Sequence, residues 1–363
     1  MKLHLVNDEK IINRTIDEFE QIYPGQNLWV VTNRARDFKI IDKRDNVIGR
    51  CEFIKNHSRE KYDSIFIHLL NKRKINVLKH VDTSNAKVYW IIWGLDLYNK
   101  LLVPKGFRLY APGNSGSRTK GISAIVKRIG EWIQSKKTIR FIRKKVDYIV
   151  TDTTENDYTI LTEFYPELKD KVWKDFFYYP IDVILNDELM KSETSGNDIM
   201  IGNSASSTNN HEYVIDALAR FDTGNRRIVA PLSYSGRGNY ASVVAAKGKE
   251  KWGDRFIPLM TFLPLAEYNK QQLSTSVALF GNLRQEAIGN ILIFLYLGAK
   301  VFLPQSNPVY DWALSHGLTV KPLENLSQEE LDQRLPETDR IKNREILKSL
   351  YTRQRMHELM RNL

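Results

Sequence analysis

Residues 276–312 read SVALFGNLRQEAIGNILIFLYLGAKVFLPQSNPVYDW: an apolar strand, a polar turn, a helical pattern, a glycine stop and a second apolar strand. This is a βαβ unit whose polar residues crowd into one turn. In parallel α/β sheets ligands lie beyond the carboxyl ends of the strands, where helix N-termini offer unpaired N–H groups to phosphate. Asn282, Arg284, Gln285, Glu286, Gly289 and Asn290 therefore sit where a phosphate-bearing donor such as a sugar nucleotide could be held.

Outward from this unit the same alternation continues in both directions. Before it come MKLHLV, a helix over about 9–22, NLWVVT, SIFIHLL, KVYWIIWG, a basic helical region and VDYIVTD. After residue 198 it restarts with IMIGNS, a helix over about 210–221, RRIVAPLSY, a helix around 241–249, RFIPLMTF, a short helix near 265–273, VALFGN, a helix over about 285–297 and KVFLP. Strands alternating with helices predict parallel sheets, and 363 residues exceed what one core usually supports. The expected organisation is an α/β domain over residues 1–180, a linker at 181–198 around the polar KSETSGND run, a second domain over 199–335, and a charged helical tail at 336–363 that packs back across the domains.

Composition narrows the class. With 42% hydrophobic and 27% charged residues the chain is an ordinary globular protein. Its single cysteine, Cys51, cannot form an internal disulfide, and no Cys/His spacing suggests a zinc site, so a reducing cytoplasm is expected. The start, MKLHLVNDEK, has no apolar run behind its lysine to act as a secretory signal. The longest apolar run, ILIFLYLGA at 291–299, is far short of the ~20 residues that cross a bilayer.

The net charge of +11 is unevenly placed. Residues 1–180 hold 33 Lys and Arg against 22 Asp and Glu, while residues 181–363 hold 21 of each. Within the first half, residues 118–145 carry ten basic residues (Arg118, Lys120, Lys127, Arg128, Lys136, Lys137, Arg140, Arg143, Lys144, Lys145) and one acid, Glu131, with Ile122, Ile125, Val126, Ile129, Trp132 and Ile133 at helical spacing. A basic amphipathic helix with a tryptophan on its apolar face suits an anionic lipid surface. The alternatives are a stripe packed into the core beneath a solvated basic face, and a nucleic-acid partner, for which the chain shows no recognisable motif.

Three strand-end clusters carry candidate chemistry. Gly202, Asn203 and Ser204 end a strand, and residues 206–211, with Asn210 and His211, lead into a helix. Small residues let backbone approach a pyrophosphate while hydroxyls and amides donate to it, although the same run also serves as an N-cap. Arg284 follows VALFGN directly; a guanidinium there can hold a diphosphate bidentately and stabilise it as a leaving group without a metal, unless it simply pairs with Glu286. In the first half, WIIWGLDLY at 90–98 ends a strand. Aromatics such as Trp93 and Tyr98 around Gly94 suit pyranose faces, and Asp96 could take the proton of an acceptor hydroxyl, or cap the next helix. Tyr234, Arg237 and Asn239, Asp157, and Asn307–Tyr310 are further strand-end groups.

With both halves in view, the sequence resembles the bacterial TDP-N-acetylfucosamine:lipid II N-acetylfucosaminyltransferases, glycosyltransferase family fifty-six. The resemblance is carried, in order and spacing, by IWGLDLY at 92–98, TENDY around Asp157, GNSASSTNNH at 202–211, RQEAIGN at 284–290 and NPVYDW at 307–312. It implies a GT-B architecture: two Rossmann-like domains facing a central cleft, the donor nucleotide on the C-terminal one and a lipid-linked acceptor on the N-terminal one. Three positions depart from the family pattern: Ile91 where histidine is usual, Ser207 where arginine is, and Glu286 where glutamine is. The first shifts weight to Asp96 as the base; the others point toward a different sugar or nucleotide.

The resulting expectation is a metal-independent hexosyltransferase without a cofactor. It would move a deoxyaminosugar such as 4-acetamido-4,6-dideoxygalactose from a nucleotide diphosphate, expected to be dTDP, to a polyprenyl-diphosphate-linked saccharide in surface polysaccharide synthesis. Asp96 and Arg284 are the catalytic candidates. Gly202, Asn203, Ser204, Asn210, His211, Tyr234, Gln285, Glu286, Gly289 and Asn290 would bind the donor, and Trp93, Gly94, Tyr98 and Asp157 the acceptor. Lys127, Arg128, Trp132, Lys136, Lys137, Arg140, Arg143 and Lys144 would hold the protein peripherally on the inner face of the cytoplasmic membrane. The rivals are a GT-B transferase using a GDP- or UDP-sugar on another acceptor, and a non-catalytic basic protein that binds membrane or nucleic acid.

Overall fold

The computed structural model describes residues 1–33, 38–114, 122–152, 154–236 and 238–363, with backbone alone at 122–125. The chain divides into two compact units. Unit 1 comprises Met1–Phe107, Gly121–Tyr178 and Gln354–Leu363; unit 2 comprises Arg108–Lys120 and Tyr179–Arg353.

Unit 1 is built on seven strands: β1 (Lys2–Val6), β2 (Asn27–Val31), β3 (Val47–Gly49), β4 (Ser64–His68), β5 (Lys87–Ile91), β6 (Tyr148–Asp152) and β7 (Val172–Phe176). Their order is β3-β2-β1-β4-β5-β6-β7, and every pairing is parallel. β1, β2 and β4 are almost wholly buried, which is why they read as continuous apolar runs and not as alternation. Unit 2 repeats the plan with β8 (Asp198–Ile201), β9 (Ile228–Pro231), β10 (Phe256–Leu259), β11 (Thr275–Leu279), β12 (Lys300–Leu303) and β13 (Lys321–Pro322), in the order β10-β9-β8-β11-β12-β13, again parallel throughout. Both are doubly wound sheets, so the expectation of two Rossmann-like α/β domains is met. The strand order reverses between β1 and β4 in unit 1 and between β8 and β11 in unit 2, and such switch points are where open α/β sheets hold ligands.

Three features differ from the expected layout. Residues 108–120 belong to unit 2 although they lie within the first half of the sequence. The stretch expected as a linker is packed: Thr194 N–H donates to Leu297 O at 2.9 Å, Ser195 N–H to Leu273 O at 2.9 Å, and the Arg334 guanidinium to the carbonyls of Thr194, Ser195 and Gly196. The tail is two helices, Glu337–Leu350 counted in unit 2 and Arg353–Arg361 counted in unit 1. The Asp182 carboxylate accepts from Arg353 N–H at 2.9 Å where the second helix starts. That helix is fixed in unit 1 by His357 Nε2 against Glu18 Oε2 at 2.6 Å and by the Tyr23 hydroxyl donating to Met360 O at 3.3 Å. Among the described residues no helix is long and apolar enough to cross a membrane.

Candidate active site

In unit 2 the loops after β8 and β11 meet at the switch point. The β8 loop needs glycine at its first position: Gly202 has φ +66°, and a Cβ there would sit 2.6 Å from His211 Nε2 and 2.8 Å from Asn209 Oδ1. Asn209 Oδ1 accepts from Asn203 N–H at 2.9 Å, and Asn203 Nδ2 donates to the Tyr234 hydroxyl at 3.1 Å, tying the β8 loop to the β9 loop. Across the switch, Asn282 Nδ2 donates to Thr208 O at 3.3 Å and to Glu286 Oε2 at 2.8 Å, while Thr208 Oγ1 donates to the same oxygen at 2.6 Å. Arg284 closes the cluster as a two-point ion pair, Nε to Glu286 Oε2 at 3.2 Å and an Nη to Oε1 at 3.2 Å. Both partners are largely buried, their side chains 10% and 15% exposed. The pairing weighed as the plain alternative for Arg284 is thus the one present, and it engages two of the five guanidinium N–H groups.

The helix expected to open at Gln285 begins at Ile288, because Ala287 takes a left-handed conformation at φ 65°. Gln285 and Glu286 are therefore loop residues ahead of it. Ala287 supplies no side-chain cap to the first-turn amides. Gly289 faces the ring of Tyr179, where a Cβ would make ordinary contact at 3.5 Å, so close approach does not require glycine there. Asn290 Oδ1 accepts from the Tyr268 hydroxyl at 3.1 Å.

Two of the donor-site candidates are buried scaffolding. Asn210 ties two segments together: its Nδ2 donates to Gly281 O at 2.8 Å and Leu109 O at 3.2 Å, and its Oδ1 accepts from Ala111 N–H at 3.0 Å and Asn114 Nδ2 at 2.6 Å. His211 packs beneath Gly202 with Nδ1 3.2 Å from the Tyr240 hydroxyl, and burial lowers its pKa to about 3, so it is neutral. By contrast, Asn203 Oδ1, Asn282 Oδ1 and His211 Nε2 are buried without a hydrogen-bond partner among the described residues. Arg237 lies outside the described residues.

In unit 1 the residues after β5 are organised by Asp96. Its Oδ2 accepts from Leu70 N–H and Trp90 Nε1, each at 2.7 Å, and its Oδ1 from Trp93 N–H at 3.0 Å. It is 2% exposed, and burial raises its pKa against these stabilising hydrogen bonds. Asp96 thus shapes the turn at Gly94, φ +81°, from which a π-helix runs over Leu95–Leu102. Trp93 is half-buried there. Tyr98 and Asp157 are both buried, and the Tyr98 hydroxyl donates to Asp157 Oδ1.

Sequence reasoning missed a buried chain beside this turn. Asn27 Nδ2 donates to Glu20 Oε1 at 2.9 Å and Tyr23 O at 2.7 Å, so its Oδ1 must accept from His4 Nε2–H at 3.2 Å. His4 Nδ1 then accepts from His68 Nε2–H at 3.2 Å, His68 Nδ1 accepts from the Tyr178 hydroxyl at 2.7 Å, and Tyr178 accepts from Trp93 Nε1–H at 2.9 Å. One amide therefore fixes both histidine tautomers. Burial holds His4 at about 3 and His68 well below its usual range. Lys74, also fully buried, donates to the carbonyls of His68 and Leu69, and burial lowers it to about 7. The available sequence signal was a histidine in each of two apolar strands, HLV and FIH.

The basic helix, Ile122–Lys145, buries only part of its length. Ser135, Ile139 and Ile142 face the core, but Val126, Ile129, Trp132 and Ile133 are 63%, 53%, 44% and 43% exposed. The core-packing reading of that stripe fails for these four residues. Lys127, Arg128, Lys136, Lys137, Arg140, Arg143 and Lys144 are all exposed, and Lys136 Nζ lies 3.6 Å over the Trp132 ring. Arg118 and Lys120, and the side chains of Ile122 and Ile125, lie outside the described residues.

Two doubly wound α/β domains in one chain are the architecture of the GT-B glycosyltransferases. The fold matches that of Anabaena Alr3699/HepE, solved in complex with UDP and glucose, at a TM-score of 0.67 and 8% identity over 99% of this chain and 98% of that one. It also matches a glycosyltransferase from Rickettsia africae ESF-5 at a TM-score of 0.60 and 12% identity, over 99% and 96%. The chain belongs to the family described as 4-alpha-L-fucosyltransferase glycosyl transferase group 56, whose model matches residues 137–344, more than half its length. It is a glycosyltransferase.

Proposed function

We propose that this transferase moves a deoxyaminosugar or deoxysugar, such as 4-acetamido-4,6-dideoxygalactose, from dTDP to a polyprenyl-diphosphate-linked saccharide in surface polysaccharide synthesis, working peripherally on an anionic membrane. The observation that carries the reading is the convergence of Gly202, Asn203, Thr208, Asn282 and Arg284 at one switch point, with helix amides that Ala287 does not cap beside them. Such a cluster can neutralise a departing pyrophosphate with N–H donors and a guanidinium in place of magnesium. Gln285, Glu286 and Asn290 would contact the sugar or nucleoside, and Trp93 and Gly94 the acceptor. Asp96, both oxygens engaged, positions the Trp93 turn and is not assigned the acceptor proton.

The exposed apolar residues and eight exposed basic side chains of the Ile122–Lys145 helix support attachment to anionic lipid, each charge near the headgroups adding about 1 kcal/mol. A second reading, a UDP-sugar donor, is favoured by the UDP bound to Alr3699/HepE.

Thermal unfolding in dTDP, UDP and GDP separates the two, since a ligand at 100 times its Kd adds about 2.7 kcal/mol of stability. Stabilisation by dTDP first supports the proposal, stabilisation by UDP first supports the second reading, and response to none overturns both. Arg284→Ala should lower turnover by roughly 30- to 1000-fold, the ~2 to 4 kcal/mol typical of a lost transition-state donor.

A further inference from the structure

At the carboxyl ends of β9 and β10, two strands' width from the Gly202 loop, unit 2 carries an apolar ledge that no residue assigned above explains. Phe262 is 74% exposed, Leu265 72% and Met260 45%, values a globular protein rarely leaves together on a loop beside a polar site. The Phe262 ring lies nearly parallel to that of Tyr234, 15° between planes and 5.8 Å between centroids. Tyr234 is in turn hydrogen-bonded through its hydroxyl to Asn203 of the β8 loop. The ledge is therefore continuous with the proposed phosphate site through one side chain.

We propose that Phe262, backed by Tyr234, is the platform on which the nucleobase of the donor stacks. This rests on the donor-site reading above. β8 and β10 are separated by β9, about 10 Å at the ~4.8 Å spacing of paired strands. That is the reach of a ribose and two phosphates, so a diphosphate at Gly202 and Arg284 sets its base down over β10. At 5.8 Å the two rings are too close for a base to slot between them, so it lies on the outer, exposed face of Phe262. Stacking on a ring face does not read base edges; the platform adds affinity for nucleotides as a class, and choice among bases lies elsewhere.

The test compares dTDP, UDP and inorganic pyrophosphate as ligands of the wild type, Phe262→Ala and Phe262→Tyr. Phe262 is exposed, so the variants should fold normally. Phe262→Ala should weaken both nucleotides by roughly 5- to 100-fold, the range of one base–aromatic stack, and leave pyrophosphate unchanged, while Phe262→Tyr binds like the wild type. If wild-type protein binds the nucleotides and Phe262→Ala binds them equally well, the platform is overturned and the donor site stands. If wild-type protein binds neither nucleotide, both fall.

Discussion

Asp96 shows how one side chain can be chemically apt and already committed. Its two oxygens receive N–H groups from Leu70, Trp90 and Trp93, so an amide in its place must turn an NH2 against one of these donors. Asp96→Asn should cost about 1 to 3 kcal/mol in urea unfolding, the penalty of a buried unsatisfied group. Unchanged stability with turnover lost more than about a thousandfold would instead return Asp96 to the role of base. The position of this carboxylate at a strand end was legible in WIIWGLDLY, because strand-end polar residues are visible in any alternating pattern. Its partners were not, since Leu70 N–H reaches it only through the pairing of β4 with β5. The same holds for Arg284: its place after β11 followed from the sequence, whereas its hold on Glu286 depends on the left-handed turn at Ala287 that bends the loop back before the helix starts.

Elements were legible in proportion to how completely they are buried. The strands that went unread, β3, β7 and β13, all lie at sheet edges. β3 has three residues and β13 two, and β7 reads VWKDF with its first four positions at least partly exposed. Edge strands are short or charged because an open edge invites unwanted pairing, and that removes the apolar signal. The Ile122–Lys145 helix inverts the usual rule: its apolar spacing was clear, but Val126, Ile129, Trp132 and Ile133 of the stripe are exposed. Reversing Lys127, Arg128, Lys136 and Lys137 to Glu should sharply reduce cosedimentation with vesicles rich in anionic lipid, an effect that also fades with added salt. Nucleotide-induced thermal stabilisation should persist in that variant. Equal vesicle binding by the variant would contradict a membrane role for this helix.

Across the molecule, three buried neutral histidines, His4, His68 and His211, set an acid limit. Their folded pKa values lie below the unfolded value of 6.5, His4 and His211 at about 3. Below pH 6.5 the unfolded chain binds protons that the folded one does not, so stability is fully present above that pH and drains away toward pH 3. The slope can reach about 1.4 kcal/mol per pH unit for each histidine, and urea titrations between pH 7 and 5 should show it as a falling midpoint. A midpoint flat over that range would mean that these rings protonate freely. The doubly wound pattern of both units was legible from hydrophobic runs alone, and a tail that packs back was expected, but its break into two helices, with Arg353–Arg361 counted in unit 1, was not, since no local signal tells a helix which sheet it will join. That return has a consequence for biosynthesis. A ribosome adding ~5 to 20 residues per second takes roughly 10 to 35 s to pass from Tyr178 to Gln354. Throughout that interval Glu18 waits for His357, so the unit translated first is the one completed last, and a nascent chain stalled anywhere in between leaves it open to proteases and chaperones.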